Sequence, residues 1–211
     1  IRDNDGNKVE EHDYSLMADE NGYRHMRSRV FRSDDGQSVI EDVMWWDRYG
    51  RKTQDIAVGA SGSGEDLVTA YESDFMFHDD VKTWLPYPVQ NTAGAFQADA
   101  ASRAADYHGN ALAYSLKNYE LSSRDRVVST ALPGYAGEHE TSYETDVLKD
   151  GSFLTILPIY KWGDGHVERT GWYSSDELVV EKTVDADGRV TKVCKDHSGR
   201  IVFTSVGNDG D

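Results

Sequence analysis

The sequence is poor in cysteine and in basic residues, and each shortage argues against a class of protein. Its single cysteine, Cys194, cannot form an internal disulfide and gives no indication of the redox compartment. Lys and Arg number 22 against 38 Asp and Glu, so the formal net charge is −16. Nucleic-acid binding needs clustered basic residues, and anionic membranes repel an acidic chain. No apolar run reaches the length of a membrane span. We therefore expect no nucleic-acid partner and no membrane insertion.

What the sequence does contain is a repeated short pattern: an acidic or polar pair, a glycine, and then a strand-like run. Such pairs suit tight hairpin turns because glycine accepts a positive φ and an Asx side chain caps the turn. The repeats are spaced by 14 residues early in the chain and by 11 near its end, which is typical of consecutive antiparallel hairpins. The predicted turn glycines are Gly6, Gly22, Gly36, Gly50, Gly188 and Gly199.

The segments between these turns predict a mainly β fold, with antiparallel sheets built of hairpins and one short helix. Strand-like runs alternate polar residues with Val, Ile, Tyr and Trp. Eight of the twenty residues from Ala95 to Tyr114 are alanine, and alanine is the strongest helix former. We place the helix between about Gln97 and Tyr107, with Gly109 and Asn110 after its end.

The same sequence pattern divides the chain into three regions, or the whole chain forms one continuous β unit. Residues 1–58 hold turn-strand repeats, and residues 59–175 form a β domain with a helical insertion near 95–118. Residues 176–211 hold two further repeats. The chain begins at Ile1 and not at a methionine, so we expect it to be a piece of a longer protein.

Two repeats, Asp185 to Arg189 and Asp196 to Arg200, resemble the YD repeat of bacterial RHS (rearrangement hotspot) proteins. An ordered series of motifs over residues 40–206 is similar to the uncharacterised domain that precedes the repeats in many such proteins. Two departures stand out. The segment Tyr71 to His78 lacks the Gly-Arg of a turn, and Trp46, Val184 and Lys195 replace the YD tyrosine. The series comprises Trp46 to Gln54, Gly64 to Val68, Leu85 to Tyr87, Tyr119 to Val127, and Pro133-Gly134.

The resemblance implies a structural role. RHS repeats build a hollow β shell around a C-terminal effector region, on secreted or cell-surface polypeptides. By this likeness the chain is a non-enzymatic, encapsulating shell segment without a cofactor. Its partners are other segments of the same longer chain, either the shell or the C-terminal effector region.

The known motifs for catalysis and metal binding do not match this sequence, because each lacks a residue type that it requires. The loop from Gly59 to Gly64 is followed by Glu65 and Asp66, where a phosphate loop requires Lys and Ser or Thr. An EF-hand counted from Gly188 has Cys194 at its twelfth position. Neighbours along a strand point to opposite faces, which disfavours a metal site at either of two clusters. A looser calcium site at an acidic turn stays open. The two clusters are His78-Asp79-Asp80 and Glu138-His139-Glu140.

The aromatic residues carry the alternative function, a carbohydrate-binding β module of a secreted protein. Exposed rings would form a stacking platform for sugars, with Trp45, Trp84, Tyr87 and Trp172 as the candidates. Trp45 and Trp46 are adjacent and must point to opposite faces of a strand. We favour burial of both, because large aromatics are mostly buried. A row of exposed rings on one sheet would favour sugar binding, and unpaired terminal strands would favour the shell segment. Trp162, Tyr160 and Tyr173 complete the aromatic set.

Overall fold

The computed structural model describes most of the chain and resolves it into two compact units. The first comprises Ile1–Asp125 with Ala131–Ala136, and the second comprises Arg126–Thr130 with Gly137–Asp211. The three-region division predicted from the sequence stays a prediction. The predicted turn at Gly36 and most of the strand-like run Phe153 to Leu157 lie outside the described residues. The described residues are 1–2, 6, 8–14, 22–32, 39–76, 78, 80–90, 92–147 and 157–208.

The predicted fold class is confirmed. The chain is mostly β, its strands pair antiparallel through hairpins, and the described residues contain a single short α-helix. Strands dominate because alternating β-branched and aromatic residues fit a half-buried pleated surface.

Eight strands and the helix α1 make up the first unit. The strands pair in the order β1-β2-β3-β4-β5-β6-β8, and β7 also pairs with β5. The elements are β1 (Glu10–Tyr14), β2 (Arg24–Phe31), β3 (Val39–Trp46), β4 (Lys52–Ala57), β5 (Asp66–Glu72), β6 (Lys82–Trp84), β7 (Tyr87–Val89), α1 (Ala100–His108) and β8 (Tyr114–Tyr119).

One face of this sheet packs under α1 and forms the core. Val43, Ile56, Val68 and Tyr87 lie opposite one another in the strand register, and all four are buried. Ala104, on α1, is fully buried in the same cluster. Small alanines let the helix approach the strands closely, so the alanine-rich segment serves packing as well as helix formation.

The helix begins three residues later than the sequence predicts and ends within one residue of the predicted end. Gln97 cannot join it, because its backbone N–H donates to the side chain of Gln54, 3.0 Å away. Asp99 takes a left-handed conformation with φ 56 just before the first helical residue. Gly109 ends the helix with φ 60, and its N–H donates back to the last helical turn.

The second unit holds a five-stranded antiparallel sheet and a separate hairpin. The sheet order is β9-β10-β13-β14-β15, while β11 pairs only with β12 among the described strands. Its core is small, centred on Leu178 and Cys194, which are both fully buried. The elements are β9 (Val127–Ala131), β10 (Glu140–Val147), β11 (Pro158–Gly163), β12 (His166–Trp172), a 3₁₀ turn (Ser175–Glu177), β13 (Leu178–Val184), β14 (Arg189–Asp196) and β15 (Ile201–Asn208).

Candidate functional site

The Asp-x-x-Gly-Arg motif forms a closed turn in which the aspartate accepts most of the hydrogen bonds. At Asp47, Oδ1 accepts from the backbone N–H of Tyr49 at 2.8 Å and of Arg51 at 3.0 Å. The Arg51 side chain donates to Oδ2 at 2.7 Å. Burial acts to raise the pKa of Asp47, but these hydrogen bonds outweigh it and hold the pKa below its ordinary value. The carboxylate is therefore committed to closing the turn.

Both C-terminal repeats form the same turn. Asp196 repeats every bond, including the one from the Arg200 side chain at 2.8 Å. Asp185 repeats the backbone bonds. Gly188 and Gly199 have φ 80 and φ 76, a region that L side chains rarely adopt. The predicted turn glycines Gly6, Gly22 and Gly50 also have positive φ.

Two further turns of this kind lack the sequence motif. Ser61 replaces the aspartate of one, and its Oγ accepts from the N–H of Glu65 at 2.7 Å. In the other, Asp74 Oδ1 accepts from the N–H groups of Met76 and His78. The hydrogen bonds among Asp74, Met76 and His78 thus form a turn although the expected Gly-Arg is absent from the sequence. The signal that identifies both turns is an oxygen-bearing side chain four residues before the closing residue.

His78 takes the place of arginine in the Asp74 turn and makes a second contact. Its Nδ1 lies 2.7 Å from Asp74 Oδ2, and its Nε2 lies 3.0 Å from Asp125 Oδ1. The ring stacks on Tyr119 with centroids 4.1 Å apart. A neutral imidazole has one N–H, so both carboxylates are satisfied only by the charged ring. Hydrogen bonds to Asp74 and then to Asp125 raise the pKa of His78.

We expect the stability that His78 contributes to this turn to fall as the pH rises above about 6.5, because its folded pKa is raised. The raised pKa of His78 means that the charged ring contributes its full stability below its unfolded pKa of about 6.5. That contribution is lost as the pH rises through the higher folded pKa. The difference in free energy of unfolding between the wild type and His78→Gln should therefore shrink from pH 6 to pH 9. Urea titrations measure it, with the exposed His197 changed to Gln as the control. A difference that stays constant with pH would contradict the prediction.

A buried carboxylate, Asp66, anchors the segment that leads to α1. The residue is 1% exposed. Its Oδ1 accepts from Gly59 N–H at 2.9 Å, and its Oδ2 accepts from the N–H and hydroxyl of Thr92 and from Gly94 N–H. Burial acts to raise the pKa of Asp66, but these donors outweigh it and lower the pKa. The four donors stabilise the charged form of this buried carboxylate.

Two more buried side chains hold the same segment. The Gln54 side chain accepts from Gln97 N–H and donates to the Gln97 carbonyl, as a neighbouring strand would. Trp45 Nε1 donates to the Gly94 carbonyl at 3.0 Å. No local sequence pattern predicts these bonds, since their partners lie 43 and 49 residues apart.

An open cleft of about 570 Å³ lies in the first unit, between the sheet and the start of α1. Tyr23, Tyr71 and Phe96 supply its aromatic lining, and Asp99 is the one carboxylate among its described lining residues. The Gln54 amide that faces it is bonded to the Gln97 backbone, and the Gln97 amide donates to the Ala95 carbonyl and accepts from the Arg103 side chain. Among the described residues that line it, there is no cysteine, no histidine and no pair of carboxylates that would act as nucleophile and base.

Three of the four predicted sugar-stacking residues are buried. Trp45 is 8% exposed, Trp84 is 7% exposed and Tyr87 is 2% exposed, so their rings are not available to a sugar. Trp84 Nε1 donates to Glu72 at 2.7 Å. Trp172, by contrast, is exposed on β12. Strand alternation predicts that neighbouring side chains face apart, but not which face a helix covers.

The Tyr87 hydroxyl is buried and has no hydrogen-bond partner among the described residues. A buried polar group without a partner destabilises the fold. We therefore expect Tyr87→Phe to leave the free energy of unfolding unchanged or to raise it by up to about 1 kcal/mol. Tyr71→Phe is the matched control, because the Tyr71 hydroxyl lies 3.2 Å from Asp55 Oδ2. Chemical denaturation of both variants measures the effects. A loss of stability in Tyr87→Phe that exceeds the loss in Tyr71→Phe would contradict the prediction.

The two predicted acidic and histidine clusters have structural partners. Glu140 accepts from the Ser129 hydroxyl at 2.6 Å, and His139 Nδ1 lies 3.4 Å from the Ala186 carbonyl oxygen. Asp80 pairs with Lys117, while Asp79 lies outside the described residues. No group of three or more metal-binding side chains converges within the part of the chain that the structure describes. Among those same residues, no helix has the length and apolar character that a membrane span requires.

Comparison with known proteins identifies a family. Residues 22–147 match the model of a domain of unknown function, DUF6443. The chain belongs to this family. The DUF6443 region contains the Asp47, Ser61 and Asp74 turns and the Asp66 anchor, whereas the Asp185 and Asp196 turns lie beyond it. No curated protein and no solved structure matches the chain.

Proposed function

We propose that this chain is a non-enzymatic scaffold segment of a large secreted or cell-surface protein of the RHS type. Its role is to enclose or support other segments of the same polypeptide. The observation that carries the proposal is the use of buried polar side chains. Six residues of polar or charged type are buried among the described residues, and the side chain of each is tied in hydrogen bonds that hold turns, loops or neighbouring strands. They are Gln54, Asp66, His78, Gln97, Ser129 and Asp196.

The recurrence of one turn geometry supports the same proposal. Turns closed by Asp47, Asp185 and Asp196 share their backbone bonds and their positive-φ glycines. A repeated hairpin that closes itself lets a sheet be extended by adding further copies. The resemblance to YD repeats supports this reading of the C-terminal pair, and the DUF6443 region would then be the lead-in domain.

The outer edge of the second unit's sheet also supports the proposal, because a further strand of a larger scaffold could pair with it. Strand β15 pairs with β14 and with no other described strand. Its eight residues, Ile201 to Asn208, include no charge and no proline, two features that usually protect an edge strand from pairing. Within a larger shell, another strand would cover this edge.

Limited proteolysis of the gene product that contains this chain tests the proposal. The region after residue 211 should resist cleavage in the intact protein and be cleaved readily when it is expressed alone. Asp66→Asn, which disrupts the buried anchor, should abolish the protection, whereas the exposed Asp106→Asn should retain it. Equal cleavage of that region in the intact protein and alone would refute the enclosing role.

A further inference from the structure

The hairpin of β11 and β12 carries an exposed aromatic face. Tyr160 pairs with Arg169, and Trp162 pairs with Val167. Residues opposite each other in an antiparallel pair share a face, so these four lie on one side. Trp162 is 74% exposed and Tyr160 is 60% exposed.

Trp172 extends this face. The Arg169 guanidinium lies 4.7 Å from the centre of the Trp172 ring, which places the two side chains together. The opposite face of the hairpin carries the Lys161–Glu168 pair instead. The three rings thus lie on one face of the hairpin with Arg169 beside them, and both faces are exposed.

The size of the face argues against a protein partner. Six residues at about 3.3 Å each give a length of about 20 Å, and two strands give a width of about 10 Å. The resulting area of about 200 Å² is a quarter of the roughly 800 Å² that one partner contributes to a standard protein interface. A ligand only a few rings long fits a surface of this size.

Charge decides which ring-containing ligand fits. Exposed aromatic side chains stack on nucleic-acid bases or on the apolar faces of sugars. Nucleic acid also needs a positively charged groove along its backbone. Here Arg169 is the one charged residue among the five on the face, in a chain of net charge −16. Anionic polymers are repelled, and neutral sugars are not.

We propose that the face formed by Tyr160, Trp162 and Trp172 binds a neutral polysaccharide by ring stacking. Arg169 supports the Trp172 ring and offers donors to sugar hydroxyls. This site is independent of the scaffold role, since it uses none of the turns or buried anchors described above.

Affinity electrophoresis of the 211-residue chain tests the site, in gels containing dextran, laminarin, xylan or galactomannan. We expect slower migration in at least one gel. Trp162→Ala and Tyr160→Ala should each weaken the affinity about fivefold to a hundredfold, the range expected for the loss of one stacked ring. Lys161→Ala on the opposite face and Phe75→Ala, an exposed ring in the first unit, should match the wild type. Circular dichroism verifies that all variants are folded.

Four outcomes would overturn the proposal. One is unchanged migration in all four polysaccharides. A second is migration of Trp162→Ala and Tyr160→Ala equal to the wild type. The third is stronger retardation by alginate or by single-stranded oligothymidine, which are both anionic. The last is self-association in analytical ultracentrifugation that Trp162→Ala abolishes, because the face would then be a protein interface.

Discussion

Replacing Asp66 with asparagine is expected to lower the free energy of unfolding by about 3 kcal/mol or more. The carboxylate accepts four hydrogen bonds, and a bond to a charged group contributes about 1.5 to 3 kcal/mol. These contributions are not additive, so the total stays well below their sum. An asparagine side chain also turns an N–H₂ group toward backbone N–H groups, which leaves buried donors unsatisfied.

Urea denaturation measures this loss, with Asp106→Asn as the matched control. Asp106 lies on the exposed side of α1, so the same chemical change there should alter stability by less than about 0.5 kcal/mol. Because the folded pKa of Asp66 is lowered, its contribution is present above its unfolded pKa of about 4 and is lost as the pH falls through the folded value. The gap between wild type and Asp66→Asn should therefore narrow in acid. Equal stability of Asp66→Asn and Asp106→Asn would show that the anchor does not stabilise the fold.

Gly94→Ala is expected to be the most destabilising glycine-to-alanine substitution in the described part of the first unit. It should lower the free energy of unfolding by about 2 to 5 kcal/mol. Gly94 has φ 76, where an alanine costs about 1 to 2 kcal/mol. An added Cβ would also collide with the side chain of Val43, which is fully buried. Overpacking of this kind costs about 1 to 3 kcal/mol more.

Gly50→Ala separates the two effects. Gly50 has φ 83, and an added Cβ there meets nothing within 4 Å. It should therefore show the backbone cost alone, about 1 to 2 kcal/mol. The double variant of Val43→Ala and Gly94→Ala should lose less stability than the sum of the two single losses, because the smaller side chain at position 43 relieves the collision. Thermal unfolding of the four variants tests this, and equal losses in Gly94→Ala and Gly50→Ala would mean that Val43 does not confine Gly94.

Local features of the fold could be read from the sequence. The chain between the predicted turns at Gly22 and Gly50 contains the strands β2 and β3, because a strand and its turn are specified by neighbouring residues. The helix was found for the same reason. Its start was misplaced because Gln97 is held by Gln54, a contact across 43 residues that no local pattern encodes.

The features that distinguish this chain are the non-local ones. In the sequence Asp66 is only a residue that is incompatible with a phosphate loop, yet its donors at Thr92 and Gly94 make it the buried anchor of the first unit. The aromatic set was recognised, but burial of Trp45 and exposure of Trp162 depend on which sheet face α1 covers. The Asp74 turn was missed because the expected Gly-Arg letters are absent, whereas the carboxylate that closes the turn is present.

Amide hydrogen exchange along β15 tests the proposed scaffold role most directly. It should be measured in the 211-residue chain and in the complete gene product. The amides of β15 that do not face β14 should exchange rapidly in the chain alone, where the described residues leave that edge unpaired. In the complete product they should be protected to the level of β14, because another strand of the scaffold covers them. Exchange that is equally rapid in both would contradict the account.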